Sequence, residues 1–312
     1  MFVIAAIGFF MGAVIGSFLN VVVWRVPRGM SLNRPPSTCP KCGHRIRPWE
    51  NIPILSWIFL GGRCSKCHLP ISWKYPAGEA AVGLLYALIA MRVWQEGLPL
   101  STVLGWWWFA GAMLSLARID FEHGIIPNVV TYSGMIAAAL FSVVFPYSRT
   151  ALSAPRNPNY GALLTRPLVE AIQGIAMPEK VSCRLAALSD CLCGMLLGAL
   201  VLGVAYYLGG KALAAWRKRR QQAELPEEAL GKGDIKMLAM TGAFLGADSV
   251  VFLLAGGTLL GFAGALLLLA KASQRKDGAF SQVPFAPFFA VPALLWVVLG
   301  NWFYLLFRLF SE

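Results

Sequence analysis

Apolar positions in this chain come in long, nearly unbroken windows, not in the alternating or three-to-four spacing of half-buried soluble elements. A helical window of about 20 mostly apolar residues crosses roughly 30 Å of hydrocarbon. Eight such windows, at 2–24, 77–95, 100–118, 128–146, 186–208, 235–251, 252–270 and 284–306, predict as many spanning helices. The first is too long for a secretory signal and no small-residue cleavage site follows it, so it reads as a retained helix. Between the sixth and seventh windows only Gly246, Ala247, Asp248 and Ser249 offer a turn. Two polar stretches interrupt the pattern, an insertion at 25–76 and a loop at 147–184 rich in Pro, Asn and Arg. The expected fold is an all-α polytopic membrane protein with a first helix at 1–24, the insertion at 25–76 and a helical core at 77–312.

Composition agrees with lipid as the main solvent. Apolar residues make up 57% of the 312 and charged residues only 13%, with a mean hydropathy of +0.63; soluble domains carry about 25% charge. The net charge of +12 could suggest nucleic acid, but membrane proteins keep Lys and Arg in their cytoplasmic loops. Here 20 of the 27 basic residues fall in the connections 25–76, 209–236 and 271–283 and at Arg118. With eight spans all of these share one side, which is then cytoplasmic, with the N-terminus outside. The run Arg217–Arg220 reads as a topology signal touching anionic membrane lipid, and no nucleic-acid partner is expected.

The insertion contains STCPKCGHRI and GGRCSKCHLPI. Cys39 and Cys42 form one CxxC pair, Cys64 and Cys67 the other. Four thiolates on two such turns make a closed tetrahedral zinc site, structural because no ligand position is left for a substrate. Such a site can hold together a piece of chain with little core of its own. Two unrelated redox or free cysteine pairs are the alternative, and His44 or His68 could replace a thiolate. Cys183, Cys191 and Cys193 suit helix packing.

Acids at membrane depth are costly and mark candidate sites. Glu79, Asp120, Glu122, Asp190, Asp234 and Asp248 qualify. Asp120 ends the third window and Asp234 begins the sixth, so the predicted topology puts both at one depth on one side. Two carboxylates brought together there cannot both ionise easily, and a pair sharing a proton can activate water against an amide carbonyl. Gly231 and Gly233, lacking a Cβ, would let an extended substrate approach closely. The residues alone also allow a structural reading. Asp120 could pair with Arg118 or His123, and Asp234 with Lys232 or Lys236 or with the helix N-terminus as a cap. Glu79 reads as a cap or packing group of the second span, and Asp190 and Asp248 as structural groups nearer the outer face. No HExxH, GxSxG or GxGxxG device is present.

These features in this order resemble the type IV prepilin peptidases, membrane aspartic proteases of the GxGD class. The resemblance rests on GSFLNVVVWRVP at 16–27, CPKCGHRI at 39–46, NIPILSWIFLGGRCSKCHLPIS at 51–72 and KYPAGE at 74–79. It continues in IDFEHGIIPN at 119–128, GKGDIKMLAMTGAFLG at 231–246 and VPFAPFFA at 283–290. It implies Asp120 and Asp234 as the catalytic dyad and Cys39, Cys42, Cys64 and Cys67 as zinc ligands. It further implies removal of the leader from prepilins or pseudopilins at the cytoplasmic face of the bacterial inner membrane. Methylation of the new N-terminus by S-adenosylmethionine would follow. Asn128 stands where the family often has Asp, and Lys232 fills the variable GxGD position. A transporter or channel with the acids as an ion relay, or a non-catalytic pilus assembly factor, are the competing readings. The acids sit at the boundaries and no repeated half is present, which disfavours transport.

Overall fold

A computed structural model describes residues 1–146, 171, 178–220, 231–272 and 284–299. In chain order the helices are α1 (Phe2–Arg25), the short α2 (Leu55–Phe59), α3 (Lys74–Gln95), α4 (Ser101–His123), α5 (Asn128–Val144), α6 (Glu179–Arg220), α7 (Lys232–Leu245), α8 (Ala247–Ala272) and α9 (Ala286–Leu299). Among the described residues there is no strand beyond two isolated bridges, and each of the eight apolar windows is helical. Segments of α1, α3, α6 and α8 are long and apolar enough to cross a membrane, while α5 and α9 are shorter apolar helices. The molecule is a multi-pass, all-helical membrane protein, as hydrocarbon demands: every backbone N–H and C=O must find its partner within the segment.

Three boundaries differ from the hydropathy reading. The sixth helix window ends early, because α7 stops at Leu245 and the chain turns at Gly246 (φ +88, ψ 170) into α8. That backbone conformation excludes side chains, so the break falls at the glycine and not at 251–252. With 14 residues α7 is about 21 Å long, shorter than the hydrocarbon core. In α6, 42 helical residues run from inside the expected outer loop through Arg220, so the helix absorbs 179–184 and the basic run. The loop residues 147–170 and 172–177, and the end of the last window beyond Leu299, lie outside the described residues.

The chain forms two compact units, Met1–Ile119 and Asp120–Glu312, with the boundary inside α4. In the first, α1 meets α3 along Gly8, Gly12 and Gly16, one glycine per turn. A Cβ at Gly12 would lie 2.7 Å from the Val82 carbonyl oxygen and 2.8 Å from Gly83 Cα. Lipid supplies no hydrophobic drive between helices, so such close backbone approach is what holds them together. Tyr86 of α3 stacks on Trp107 of α4 and donates to its carbonyl at 2.6 Å, while the indole N–H returns a bond to the Tyr86 carbonyl at 3.0 Å.

In the second unit α7 is the central helix, buried throughout Met237–Leu245 and packed by α5, α6, α8 and α9. Gly194 of α6 and Gly242 of α7 touch backbone to backbone. One turn away, a Cβ at Gly198 would lie 2.6 Å from the Leu238 carbonyl oxygen.

Gly12→Val should therefore cost at least about 2 kcal/mol through overpacking. Gly203→Ala, where nothing lies within 4 Å, should be neutral or stabilise by up to about 1 kcal/mol. SDS titration of the detergent-solubilised chain reads both, and equal effects would refute glycine-mediated pairing.

Candidate functional site

Asp120 and Asp234, far apart in sequence, lie in the second unit, near enough for the charge of Asp120 to act on Asp234. Both residues are buried, at 7% and 5% exposure. Each is held by a backbone amide, but of different origin. Asp120 Oδ2 accepts the Ala286 N–H at 2.9 Å from the first turn of α9. The Pro284-Phe285-Ala286-Pro287 stretch thus starts a helix whose free N–H points at an acid, the usual polarity of a helix N-terminus toward anions. Asp234 is the third residue of α7, and its Oδ2 accepts the Gly231 N–H at 3.2 Å. The capping role weighed as an alternative for Asp234 is therefore present together with the approach of Asp120; the two readings coexist.

Two of the basic neighbours considered as partners of the acids, Lys236 and Arg118, make hydrogen bonds to asparagine side chains. Lys236 Nζ donates to Asn128 Oδ1 at 2.7 Å and sits 5.4 Å from the Tyr132 ring. Asn128, the departure from the family pattern, thus receives an ammonium as a neutral acceptor where an aspartate would make an ion pair. Arg118 donates to the Asn20 side chain. Gly233 has a packing reason to lack a side chain: a Cβ there would lie 2.7 Å from Ile126 Cβ. Gly231 adjoins the carboxylate it binds, with a Cβ position 3.1 Å from Asp234 Oδ2. Ile126 and Asn128 together seat the chain that leaves α4 on the start of α7. The sequence reading did not single out Ile126 or the Ala286 amide, because neither side chain carries chemistry.

The four cysteines of the insertion also come together. Their Sγ atoms all lie within 4.8 Å of one another, with Cys39 to Cys67 at 4.0 Å and Cys42 to Cys64 at 3.9 Å. Bonds of about 2.3 Å to a tetrahedral zinc would put the sulfurs about 3.8 Å apart, so this cluster can hold a metal. The two halves repeat one another at an offset of 25 residues. Cys39 N–H bonds the His44 carbonyl and Gly43 N–H the Cys39 carbonyl; Cys64 and Leu69, then His68 and Cys64, do the same. Bridges Thr38–Arg45 and Arg63–Pro70 close each half. Both turns need a left-handed residue after the second cysteine, supplied by Gly43 (φ +70) and, under strain, His68 (φ +55).

The amides of Cys42 and Lys41 hold Cys39 below the usual thiol range, and those of Cys67 and Lys66 bring Cys64 down to about 6. On Cys67 the Leu69 amide acts downward, but burial and the three other thiols outweigh it and push it up to about 11. His44 turns away to Glu50 at 3.3 Å.

Glu79 is buried and accepts the Ile54 N–H at 2.8 Å, so it packs, as expected, while also fastening the insertion. Asp190 is buried against Gly246 at the α7–α8 break, and Asp248 is half-buried. Cys191 is buried within α6, as helix packing requires, and Cys183 and Cys193 are partly exposed.

Comparison with known proteins gives the same two regions. Residues 10–93 match the bacterial Peptidase A24 N-terminal domain and 107–266 the type IV leader peptidase family. A prepilin leader peptidase/N-methyltransferase of Myxococcus xanthus is 33% identical over 84% of this chain, which spans 62% of that protein. Proteins of the same name from Dickeya chrysanthemi and Pseudomonas aeruginosa are 31% and 30% identical. These alignments cover 94% and 92% of this chain and 92% and 88% of theirs. No solved structure matches.

The Gly233–Ile126 contact makes a specific prediction. Gly233→Ala should destabilise the chain by about 1–3 kcal/mol, and Ile126→Ala added to it should recover a large part of that loss. A double-mutant cycle on SDS unfolding measures the coupling; additive effects would rule the contact out.

Proposed function

We propose that this chain, which belongs to the type IV leader peptidase family, cleaves the leader from prepilins or pseudopilins with Asp120 and Asp234 as its catalytic acids. The observation that carries the reading is two buried aspartates within electrostatic reach of one another, each held by a backbone amide, in a family of peptidases. One carboxylate takes a proton from a water, whose oxygen attacks the scissile carbonyl carbon. The other, protonated, donates to the carbonyl oxygen as the tetrahedral intermediate forms. Collapse breaks the C–N bond, and a proton passes to the leaving amine. Preorganisation is the amides' contribution, because neither acid has to be reoriented when substrate arrives.

The product amine is the nucleophile for a second step. The relatives' double name supports methylation of that amine, with S-adenosylmethionine as donor and the sulfonium sulfur leaving as a neutral thioether. Cys39, Cys42, Cys64 and Cys67 would hold zinc, which supplies a structural cross-link and no reacting group. In this reading 1–24 anchors the chain, 25–76 is the zinc-bound insertion and 77–312 the membrane core, with lipid around it and no nucleic-acid partner. The basic connections orient the N-terminus outward and both aspartates toward the cytoplasm of a bacterial inner membrane. Gly231 and Gly233 would line the approach of the extended substrate.

Purified wild type should trim a synthetic prepilin, whereas Asp120→Asn and Asp234→Asn should each lose at least about a thousandfold in rate. Cleavage persisting in either variant would remove that residue from the chemistry. The full chain should carry one zinc per molecule by mass spectrometry of the metal. Cys42→Ser should lose it, and acidification should release it in the wild type, since protons compete for the thiolates. Zinc retained by Cys42→Ser would exclude the four-cysteine site.

A further inference from the structure

The insertion presents a second surface that neither the dyad nor the cysteine cluster uses. Within α2, Leu55, Ile58 and Phe59 lie one turn apart on one face and are 50%, 58% and 85% exposed. The opposite side of the helix is engaged by its own unit: Trp57 packs over Gly62 and donates to the Ile71 carbonyl at 3.1 Å. An apolar face of this size on a five-residue helix needs an occupant.

Its depth is set by a hydrogen bond. Ile54, immediately before α2, has φ +62 and ψ −52, and Leu55 N–H bonds the Pro53 carbonyl at 2.5 Å, the geometry of a strained γ-turn. The Ile54 amide that this turn exposes is captured by buried Glu79 at 2.8 Å. Glu79 lies five residues into α3, a candidate membrane span, or about 7.5 Å along its axis. The start of α2 is therefore pinned beside the first turns of a candidate spanning helix, near the polar end of that helix. The insertion is also tethered at both ends to candidate spans, α1 and α3.

Charge selects among occupants. Segment 25–76 carries nine Lys and Arg against the single acid Glu50, and Arg63, Lys66 and Lys74 are exposed. A basic leader would be repelled by this surface; an anionic phospholipid headgroup is attracted by it, at about 1 kcal/mol per cation. We infer that α2 is an interfacial foot: Leu55, Ile58 and Phe59 insert into the leaflet on the α3 N-terminal side, and the surrounding cations bind anionic phospholipid.

The test places the full chain in nanodiscs of phosphatidylcholine, alone or with about a third phosphatidylglycerol, and follows amide hydrogen exchange of residues 52–61. Exchange should be about fivefold slower in the anionic discs, the change worth one surface cation. The Ile58→Ser/Phe59→Ser variant should abolish protection in both lipids, and Arg63→Gln/Lys74→Gln should abolish the difference between them. Exchange of 39–46 serves as the folding control. Equal exchange of the wild type in the two lipids overturns the inference without any variant. Protection that arises only when a prepilin is added also overturns it, and assigns the face to substrate. The inference stands or falls apart from the proteolytic reading, because none of these readouts requires turnover.

Discussion

Backbone-to-backbone contact between helices, made possible by glycines set one turn apart, is the interaction on which this molecule depends. In water, two apolar helix faces are driven together by the solvent they shed; in lipid that drive is absent and contact must come from fit. Gly194 against Gly242 brings α6 and α7 to the closest separation that main chains allow, and α7 is the helix that carries Asp234 in its first turn. Gly8, Gly12 and Gly16 do the same for α1 and α3, whose ends launch and receive the insertion. The placement of Asp234 and of the four-cysteine insertion both follow from positions that have no side chain.

Bringing two carboxylates into a solvent-poor place is expensive, and the fold reduces that cost with amides in place of cations. Ala286 and Gly231 each donate from a helix start, where N–H groups have no partner in their own helix. Two nearby cations bond to neutral asparagines, Lys236 to Asn128 and Arg118 to Asn20. A permanent ion pair would hold an acid in its charged form and leave it unable to pass a proton back and forth. Neutral amide donors orient the oxygens with a weaker bias toward the charged form than a full cation would impose.

The insertion solves a different problem. About 50 residues with little apolar core cannot close on themselves by burial alone, and two copies of one cysteine turn, related by 25 positions, provide the closure instead. Attachment to the membrane helices then rests on a few directed contacts. Arg25, itself buried, gathers the carbonyls of Ser31, Leu32 and Pro35 just after α1, and Glu79 captures Ile54 just outside α3. Polar anchors of this kind set depth and angle in a way that an apolar patch, free to slide, does not.

Helical windows, the cysteine spacing and the two acids at span ends were legible in the sequence, because each depends on residue type at short range. Hydropathy over about 20 residues measures transfer to lipid, and a CxxC turn is a local geometry. Hydropathy runs smoothly to 251, but the turn residues at Gly246–Ser249 mark where the helix can break, and the positive φ at Gly246 puts the break at the first of them. The glycine stripes, the Ile126–Gly233 contact and the Ala286 amide were invisible. Their partners lie on other helices, and a missing Cβ or a main-chain N–H leaves no chemical mark in a string of letters. The sequence by itself determined that the chain is helical, membrane-embedded and supplied with two acids and four thiols. Only tertiary packing decided that the acids come within electrostatic reach, which amides hold them and that Lys236 and Arg118 bond to asparagines, because those outcomes depend on distances between helices that no local pattern encodes.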